Sequence, residues 1–242
     1  MKMPKLSEIP LDQTMEDHVY KLQLKYLQRR LNILHYRLYR KKVPVIIVYE
    51  GWDAAGKSGN IKRITGALNP GGFEVHPIAC PEPHEKSRHY LWRFWTKLPK
   101  TGHIAIFDRS WYGRVMVERL EGLCSTNDWK RAYNEINEFE KELSDWGAVI
   151  IKFWVHIDKE TQSDTQLARF TDRQNPPEKQ WKITDEDWRN REKWDAYEEA
   201  VNEMLQKTNT TYAPWHVLAS VDKKYARIQA LKIVIETLEA VL

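Results

Sequence analysis

Apolar runs rich in β-branched residues alternate along the chain with longer stretches that repeat apolar residues at helical spacing. This alternation is typical of βαβ units, in which helices cover both faces of a parallel sheet. It predicts a three-layer α/β/α fold with a five-stranded parallel sheet. The predicted strands are Val43–Tyr49, Phe73–Ile78, His103–Phe107, Ala148–His156 and Trp215–Ala219.

A long amphipathic helix is predicted before the first strand. Residues 15–42 carry apolar side chains at helical spacing, and the helix is expected to end near Pro44. We interpret residues 1–42 as an N-terminal helical extension that serves packing or subunit contact. Its apolar positions are Val19, Leu22, Leu27, Leu31, Leu34 and Leu38.

The pattern changes after the fourth strand. Asn175-Pro176-Pro177 must interrupt any helix there, because neither proline can donate a backbone hydrogen bond. Thr184 then resembles an N-cap that starts a polar helix. Residues of about 160–206 are therefore expected to form two lid helices, and a rigid surface hairpin is the alternative.

Composition limits the organisation and the compartment. The 242 residues contain no Gly/Ser/Pro-rich linker, so a single domain over 1–242 is expected. The longest apolar run, Val43–Tyr49, is far shorter than the roughly 20 residues of a membrane span, and no signal-peptide core precedes it. Two cysteines, Cys80 and Cys124, do not make a disulfide framework. A cytoplasmic protein without membrane contact is predicted.

The segment "GWDAAGKSG" matches the phosphate-loop pattern G-x-x-x-x-G-K-[ST] between a predicted strand and a predicted helix at Gly59–Ala67. In such loops, backbone N–H groups point at an anion, the lysine reaches the terminal phosphates and the hydroxyl faces Mg²⁺. These roles fall to Lys57 and Ser58. The phosphate-binding residues of the loop are predicted to be Gly51, Ala54, Ala55, Gly56, Lys57, Ser58 and Gly59.

A second motif is "HIAIFDRSWYGR", in which an apolar strand ends at Asp108. A carboxylate at the carboxyl end of a strand next to the first is placed like the metal-side aspartate of phosphate-loop enzymes. Arg109 and Arg114 follow it, and guanidinium groups suit phosphate oxygens. A plain ion pair between Asp108 and Arg109 is the alternative.

Asp53 is unusual because it places a negative charge inside the phosphate loop. It could hold a metal through water, or it could orient the attacking phosphate oxygen. The alternative is an Asx-type cap of the turn. Asp53 and Asp108 are therefore the candidate metal residues.

Basic residues concentrate around the motifs although the net charge is only +4. Lys62 and Arg63 follow the loop, and Arg169 and Arg173 share one face of a lid helix at i and i+4. A basic channel is one interpretation, and solvated helix faces are the other. The sequence has no nucleic-acid-binding motif.

Three segments together resemble the polyphosphate kinase 2 family: "EGWDAAGKSGNIKR", "FDRSWYGRVMVERLEG" and "LARFTDRQNPPEKQWKITDEDWRNREKWDAYEEA". The resemblance spans roughly Val43 to Leu218. It implies a thymidylate-kinase-like phosphate-loop fold and phosphoryl transfer between inorganic polyphosphate and adenine or guanine nucleotides. It also implies dependence on Mg²⁺, with Mn²⁺ as a substitute. By position, the catalytic residues implied are Asp53, Lys57, Asp108, Arg109, Arg114 and Arg169.

The resemblance also implies two polyanion sites and an assembly. The loop, Arg114 and Arg173 would hold the nucleotide phosphates, while polyphosphate would lie in a basic channel under the lid. A homo-oligomer, a dimer of dimers, is expected from the resemblance and the N-terminal helix. The polyphosphate-binding residues would be Lys57, Lys62, Arg63, Arg109 and Arg169.

The sequence also predicts which nucleotide accepts the phosphoryl group. "DRSWYGRV" has Gly113 within the strand-end motif and resembles the polyphosphate:AMP phosphotransferase branch. A glycine there would leave Arg114 free to reach a further phosphate oxygen. AMP is thus the expected acceptor, with ADP carried on to ATP more slowly. An ATP-dependent nucleoside or nucleotide kinase of the same fold, or a non-catalytic binder, is the alternative.

Overall fold

The computed structural model describes residues 2–164 and 193–242 of the chain. Within these residues, five strands form one parallel sheet in the order β2-β3-β1-β4-β5. The predicted α/β fold with a five-stranded parallel sheet is confirmed. The strands are β1 (Val45–Gly51), β2 (Phe73–Pro77), β3 (Ile104–Asp108), β4 (Val149–His156) and β5 (Trp215–Ala219).

Helices account for most of the remaining described chain. The α-helices are α1 (Asp17–Lys41), α2 (Lys57–Thr65), α3 (Pro83–Lys86), α4 (Trp92–Trp95), α5 (Val117–Leu120), α6 (Thr126–Asp145), α7 (Trp194–Thr208) and α8 (Lys223–Val241). The 3₁₀ helices are Leu6–Glu8, Pro70–Gly72 and Trp111–Val115.

The sheet is covered on both faces. Consecutive residues of β1 are buried from Val45 to Glu50, so side chains pointing to either face are removed from water. Helices α1, α2 and α8 pack on one another, and α6 packs on α7 and on the 3₁₀ helix Trp111–Val115. These two groups of helices form the outer layers of the predicted three-layer arrangement.

Strand β1 begins at Val45 rather than at Val43. The Val43 N–H donates to Leu38 O (3.2 Å), so Val43 still belongs to the end of α1. Pro44 has no N–H to offer a neighbouring strand. At its other end β1 continues past Tyr49, because Gly51 still pairs with Val155 of β4.

Helix α1 confirms the predicted N-terminal helix and shows two apolar faces. Leu27, Leu31, Leu34 and Leu38 are buried, and α1 packs against α8. Leu22 has the same spacing in the sequence but is 70% exposed. It lies on a second face, which we call the exposed α1 face and which consists of Leu22, Tyr26, Ile33 and Tyr36.

The predicted lid lies mostly outside the described residues. Residues 160–164 and 193–206 of it are described, and α7 (Trp194–Thr208) overlaps the predicted polar helix. The breaker at Asn175-Pro176-Pro177 and the N-cap at Thr184 lie outside. The single-domain organisation stays a prediction. Of the helices described, none has the length and apolar character needed to cross a membrane.

Candidate active site

The phosphate loop connects the end of β1 to the start of α2. Gly51 has a φ of 149°, and a Cβ added to it would lie 2.4 Å from Val155 O, so a side chain cannot fit there. Gly56 (φ 104°) and Ala54 (φ 63°) also have left-handed backbone conformations. This succession of turns brings the chain back above β1 and begins α2 at Lys57.

Lys57 is held inside the loop by the loop itself. Its Nζ donates to Gly51 O (2.7 Å) and to Trp52 O (3.0 Å). Burial lowers the pKa of the Lys57 ammonium, and the nearby Asp53 carboxylate opposes that shift. A cation therefore stands beside the N-terminus of α2, where the helix dipole also favours anions.

Asp108 reaches the same edge of the sheet from β3. Tyr49 of β1 lies opposite Asp108 in the parallel register, as expected for neighbouring strands. Ser58 Oγ lies 3.5 Å from Asp108 Oδ2, so the first turn of α2 and the end of β3 meet. The loop hydroxyl and the strand-end carboxylate therefore lie side by side at this edge of the sheet.

Arg109 links the strand-end motif to the phosphate loop. Its Nη2 donates to Asp53 Oδ1 at 3.2 Å, and it is the more exposed partner of the two. The sequence suggested Asp108 as the alternative partner of Arg109, whereas the described ion pair joins it to Asp53. Asp53 thus has a cationic neighbour that offsets the charge of a carboxylate inside a phosphate loop.

These groups surround one cavity of about 290 Å³. Backbone from the loop, a buried cation, an exposed guanidinium and two carboxylates face the same space. Such a mixture suits a phosphate chain with a bound cation better than an apolar ligand. The lining residues are Asp53, Ala54, Gly56, Lys57, Ser58, Gly59, Pro77, Ile78, Asp108 and Arg109.

Other predicted site residues lie away from this cavity. Arg114 Nη1 pairs with Glu118 Oε2 (2.9 Å), and its guanidinium lies over the Tyr90 ring. Arg63 donates to Tyr20 Oη and to Gly59 O, so it joins α2 to α1.

Lys62 and Ala55 were also predicted to bind phosphate, and neither lines the cavity. Lys62 is exposed on the last turn of α2. The Ala55 carbonyl accepts from Ser220 Oγ (2.7 Å), which anchors the loop to the end of β5. Arg169 and Arg173 lie outside the described residues. The functional roles assigned to all of these residues from the sequence stay predictions.

The chain matches the family model for polyphosphate kinase 2 over residues 14–241. The chain belongs to the polyphosphate kinase 2 family. This confirms the resemblance given by the three sequence segments.

Individual relatives agree. The chain is 46% identical over 236 residues to the polyphosphate:AMP phosphotransferase of Pseudomonas aeruginosa, which covers 97% of this chain and 47% of the relative. It is 50% identical over 225 residues to the polyphosphate:AMP phosphotransferase of Acinetobacter johnsonii, and this match covers 93% of this chain and 46% of the relative. It is 38% identical over 217 residues to the AMP/ADP-polyphosphate phosphotransferase of Meiothermus ruber (89% and 80%). The chain spans about half the length of the first two.

Solved structures give the same family and fold. A crystal structure from Pseudomonas aeruginosa described as polyphosphate kinase 2 matches with a TM-score of 0.91 at 46% identity, covering 97% of this chain and 50% of that one. A polyphosphate kinase 2 from Arthrobacter aurescens matches with a TM-score of 0.91 at 30% identity, covering 98% and 86%. The phosphate-loop kinase fold is therefore shown.

Sequence reasoning missed a buried acid beside the loop of this polyphosphate kinase 2 family member. Glu50, the residue before Gly51, is only 5% exposed and accepts from Ser110 Oγ at 2.7 Å. Burial raises the pKa of the Glu50 carboxyl, and the Ser110 hydrogen bond opposes the rise. The one available signal was a glutamate in an otherwise apolar central strand.

A second missed feature is a buried ionic network behind the strand-end motif. Lys152, in the middle of β4, donates to Glu140 Oε2 (2.7 Å), Tyr112 Oη (2.8 Å) and Thr208 O (2.8 Å). Glu140 Oε1 accepts from Tyr112 Oη (2.6 Å) and from the Trp111 indole (3.1 Å). The network therefore fixes the 3₁₀ helix that follows Asp108 and Arg109 in this family member.

Trp52 connects the phosphate loop to α7. Its ring stacks on Trp194 with the centroids 3.9 Å apart, and its indole N–H donates to His156 Nδ1 (3.0 Å). Burial lowers the pKa of His156 to about 4, so the imidazole is neutral and can accept this bond.

Proposed function

We propose that this chain is a polyphosphate-dependent nucleotide phosphotransferase, which moves a terminal phosphoryl group from inorganic polyphosphate to a nucleotide. The observation that carries the proposal is the convergence of Lys57, Asp53, Asp108 and Arg109 on one cavity at the phosphate loop. The names of the relatives support the same reaction. Because the chain spans about half the length of the two polyphosphate:AMP phosphotransferases, its substrates are inferred rather than transferred from them.

The reaction needs little covalent help from the protein. The terminal phosphoanhydride P–O bond breaks while an oxygen of the nucleotide phosphate forms a new P–O bond, and the shortened polyphosphate leaves with the bonding electron pair. Lys57 and the exposed Arg109 guanidinium neutralise the oxygens of the transferring group. Asp53 holds Arg109 and orients the attacking oxygen. Two polyanions can then meet end to end.

The residues at this edge of the sheet fit Mg²⁺. Asp108, Asp53 and the Ser58 hydroxyl supply oxygen atoms only, which are the ligands this ion prefers. The described residues contain no group of three or more His, Cys, Asp or Glu side chains arranged for a metal. That agrees with Mg²⁺, which commonly takes one or two carboxylates and completes its shell with water and phosphate. When bound, the ion neutralises phosphate charge, and Mn²⁺ can replace it.

AMP is the acceptor we propose, with ADP carried on to ATP more slowly. The support comes from relatives at 46% and 50% identity that are named polyphosphate:AMP phosphotransferase. The argument from Gly113, which required Arg114 to reach a further phosphate oxygen, supports AMP less than the relatives do. Arg114 is engaged by Glu118 and Tyr90, so it would have to leave both to reach a phosphate.

The test uses polyphosphate, Mg²⁺ and one nucleotide at a time, with no ATP added. We expect AMP to yield ADP with the higher initial rate and ADP to yield ATP with the lower. Turnover of ADP without turnover of AMP would reject the acceptor and keep the reaction. A parallel set of reactions contains ATP in place of polyphosphate; turnover in that set alone would favour the alternative, an ATP-dependent kinase, and binding without turnover in either set would favour a non-catalytic binder.

We also propose a homo-oligomer, specifically a dimer of dimers, that uses the exposed α1 face. Leu22, Tyr26, Ile33 and Tyr36 place large apolar side chains at intervals of three, four and seven residues. This spacing suits helix–helix pairing between two copies. Light scattering should give the mass of a tetramer, and Tyr26→Lys with Ile33→Lys should lower it. A monomer at micromolar concentration would contradict the proposal.

The remaining expectations concern partners and location. We propose adenine and guanine nucleotides with polyphosphate as the ligands, no binding to nucleic acid, and a cytoplasmic location. Equal affinity for a DNA duplex and for polyphosphate of matched charge would contradict selective recognition of the phosphate chain.

A further inference from the structure

Glu50 is a buried carboxyl group directly before the phosphate loop in the chain, and it does not line the cavity. It lies in β1, the central strand, between Tyr49 and Gly51. Burying an acid here is costly unless it is well bonded. Its described hydrogen bond comes from Ser110 Oγ at 2.7 Å, which belongs to the neighbouring strand-end motif.

Ser110 joins the end of β3 to the 3₁₀ helix of that motif. Its side chain caps the 3₁₀ helix Trp111–Val115 by accepting from the Tyr112 N–H at 3.3 Å. The residue before it, Arg109, has a φ of 66°, and its N–H donates to Tyr49 O at 2.9 Å. Two adjacent residues of β1, Tyr49 and Glu50, therefore hold two adjacent residues of the motif, Arg109 and Ser110.

This double attachment matters because of the backbone at Arg109. A non-glycine residue in the left-handed region is strained and keeps that conformation only when its surroundings enforce it. Without the left-handed turn, the Arg109 side chain would leave the direction that carries its Nη2 to Asp53. The turn is thus part of how the guanidinium reaches the cavity.

Charge adds a second link between Glu50 and the cavity. Lys57 and Arg109 repel each other, and Glu50 attracts both cations. Lys57 Nζ lies 2.7 Å from the carbonyl oxygen of Gly51, the residue after Glu50. Lys57 and Arg109 both favour the charged form of Glu50 against its burial, so the carboxyl group and the two cations stabilise one another behind the loop.

We propose that Glu50 is a positioning residue for phosphoryl transfer, acting through Ser110 on the turn that aims Arg109 into the cavity. The proposal rests on the proposed function. It assigns Glu50 no contact with substrate. It predicts that changes at Glu50 matter only as long as the Arg109 guanidinium is present.

The test is a double-mutant cycle between Glu50→Gln and Arg109→Ala, with kcat and KM measured for AMP and polyphosphate. Glutamine keeps the size of the side chain but replaces the carboxylate by a neutral amide, which weakens the hydrogen bond from the Ser110 hydroxyl and removes the attraction on Arg109. We expect Glu50→Gln to lower kcat about 10- to 100-fold in the native chain, because misplacing a positioning group by about 1 Å costs as much. In the Arg109→Ala chain the same change should alter kcat less than about 2-fold.

Ser110 gives an independent arm if Glu50→Gln does not yield folded protein. Ser110→Ala should lower kcat, and Ser110→Thr, which keeps the hydroxyl, should restore it. Thr237→Val is the control, because it removes a part-buried hydroxyl that donates to Ile233 O (2.7 Å) within α8 and belongs neither to the cavity nor to the network around Lys152. Thr237→Val should leave kcat within about 2-fold.

The outcomes separate this inference from the proposed function. Equal losses of kcat with and without Arg109 would mean that Glu50 supports only the fold, which overturns the inference. If the native chain shows no turnover, the proposed function fails, and the same cycle is read by calorimetric titration with tripolyphosphate. Weaker binding in Glu50→Gln only when Arg109 is present supports the inference, and equal weakening in both chains overturns it.

Discussion

Replacing Lys152 with methionine should destabilise the fold far more than its single charge suggests. The Lys152 ammonium is fully buried and holds Glu140, Tyr112 and the Thr208 carbonyl within 2.8 Å. Methionine has a similar volume, so the change removes the bonds without opening a large cavity. It leaves the Glu140 carboxylate buried without its cation.

The magnitude follows from that uncompensated charge. Removing one partner of a buried ion pair costs about 3–5 kcal/mol. For a chain of 150–250 residues, each 1 kcal/mol lowers Tm by about 2–4 °C. We therefore expect Lys152→Met to lower Tm by roughly 6–20 °C. Activity should also fall, because the network fixes the 3₁₀ helix that follows Arg109.

Thermal unfolding by circular dichroism, with urea unfolding as a second measure, provides the assay. Lys141→Met is the matched control: it is also a lysine paired with a carboxylate, Asp145, on α6, but both side chains are at least half exposed. Such exposed pairs contribute about 0.5 kcal/mol or less. If Lys152→Met and Lys141→Met shift Tm equally, the reasoning from burial is wrong.

Three further changes test other parts of the site. Asp53→Asn should lower kcat about 100-fold or more while Tm stays within about 2 °C; near-normal activity at saturating Mg²⁺ would return Asp53 to the turn-cap alternative. Gly51→Ala should destabilise by at least about 2 kcal/mol in urea, because its Cβ would meet Val155 O, whereas Gly147→Ala, which has open space, should cost less. His156 has a folded pKa of about 4, below its unfolded value of 6.5, so the stability it contributes is present above pH 6.5 and lost as pH falls to 4. That loss should total about 3 kcal/mol and be absent in His156→Gln, and parallel pH profiles for the two chains would contradict it.

The sheet could be predicted because its strands are continuous apolar runs. The ends of β1 could not, because they depend on partners far away in sequence. Val43 bonds to the preceding helix, and Gly51 pairs with Val155 of β4. Periodicity also placed Leu22 with the buried leucines of α1, although only contact with α8 decides which apolar residues are covered.

The features of the site also divide into those that the sequence predicts and those that depend on distant partners. Motif spacing identified Lys57, Ser58 and Asp108, since a phosphate loop has fixed local geometry. It could not give the pairing of Arg109 with Asp53, or the engagement of Arg114 by Glu118, because a guanidinium can reach several neighbours. Nor could it show that Glu50 and Lys152 are buried, since each needs a partner from another part of the chain.

The central position of β1 also constrains how the protein folds. Val45 lies opposite Ile104 on one side and Val149 on the other, so the strand carrying the phosphate loop is completed only by segments made much later in synthesis. Parallel pairing across such separations forms slowly and leaves apolar strand edges open meanwhile. A nascent chain that ends before β4 should therefore aggregate or need a chaperone. The anion-binding geometry is thus completed only after β3 and β4 have been made, although its motif precedes both strands in the chain.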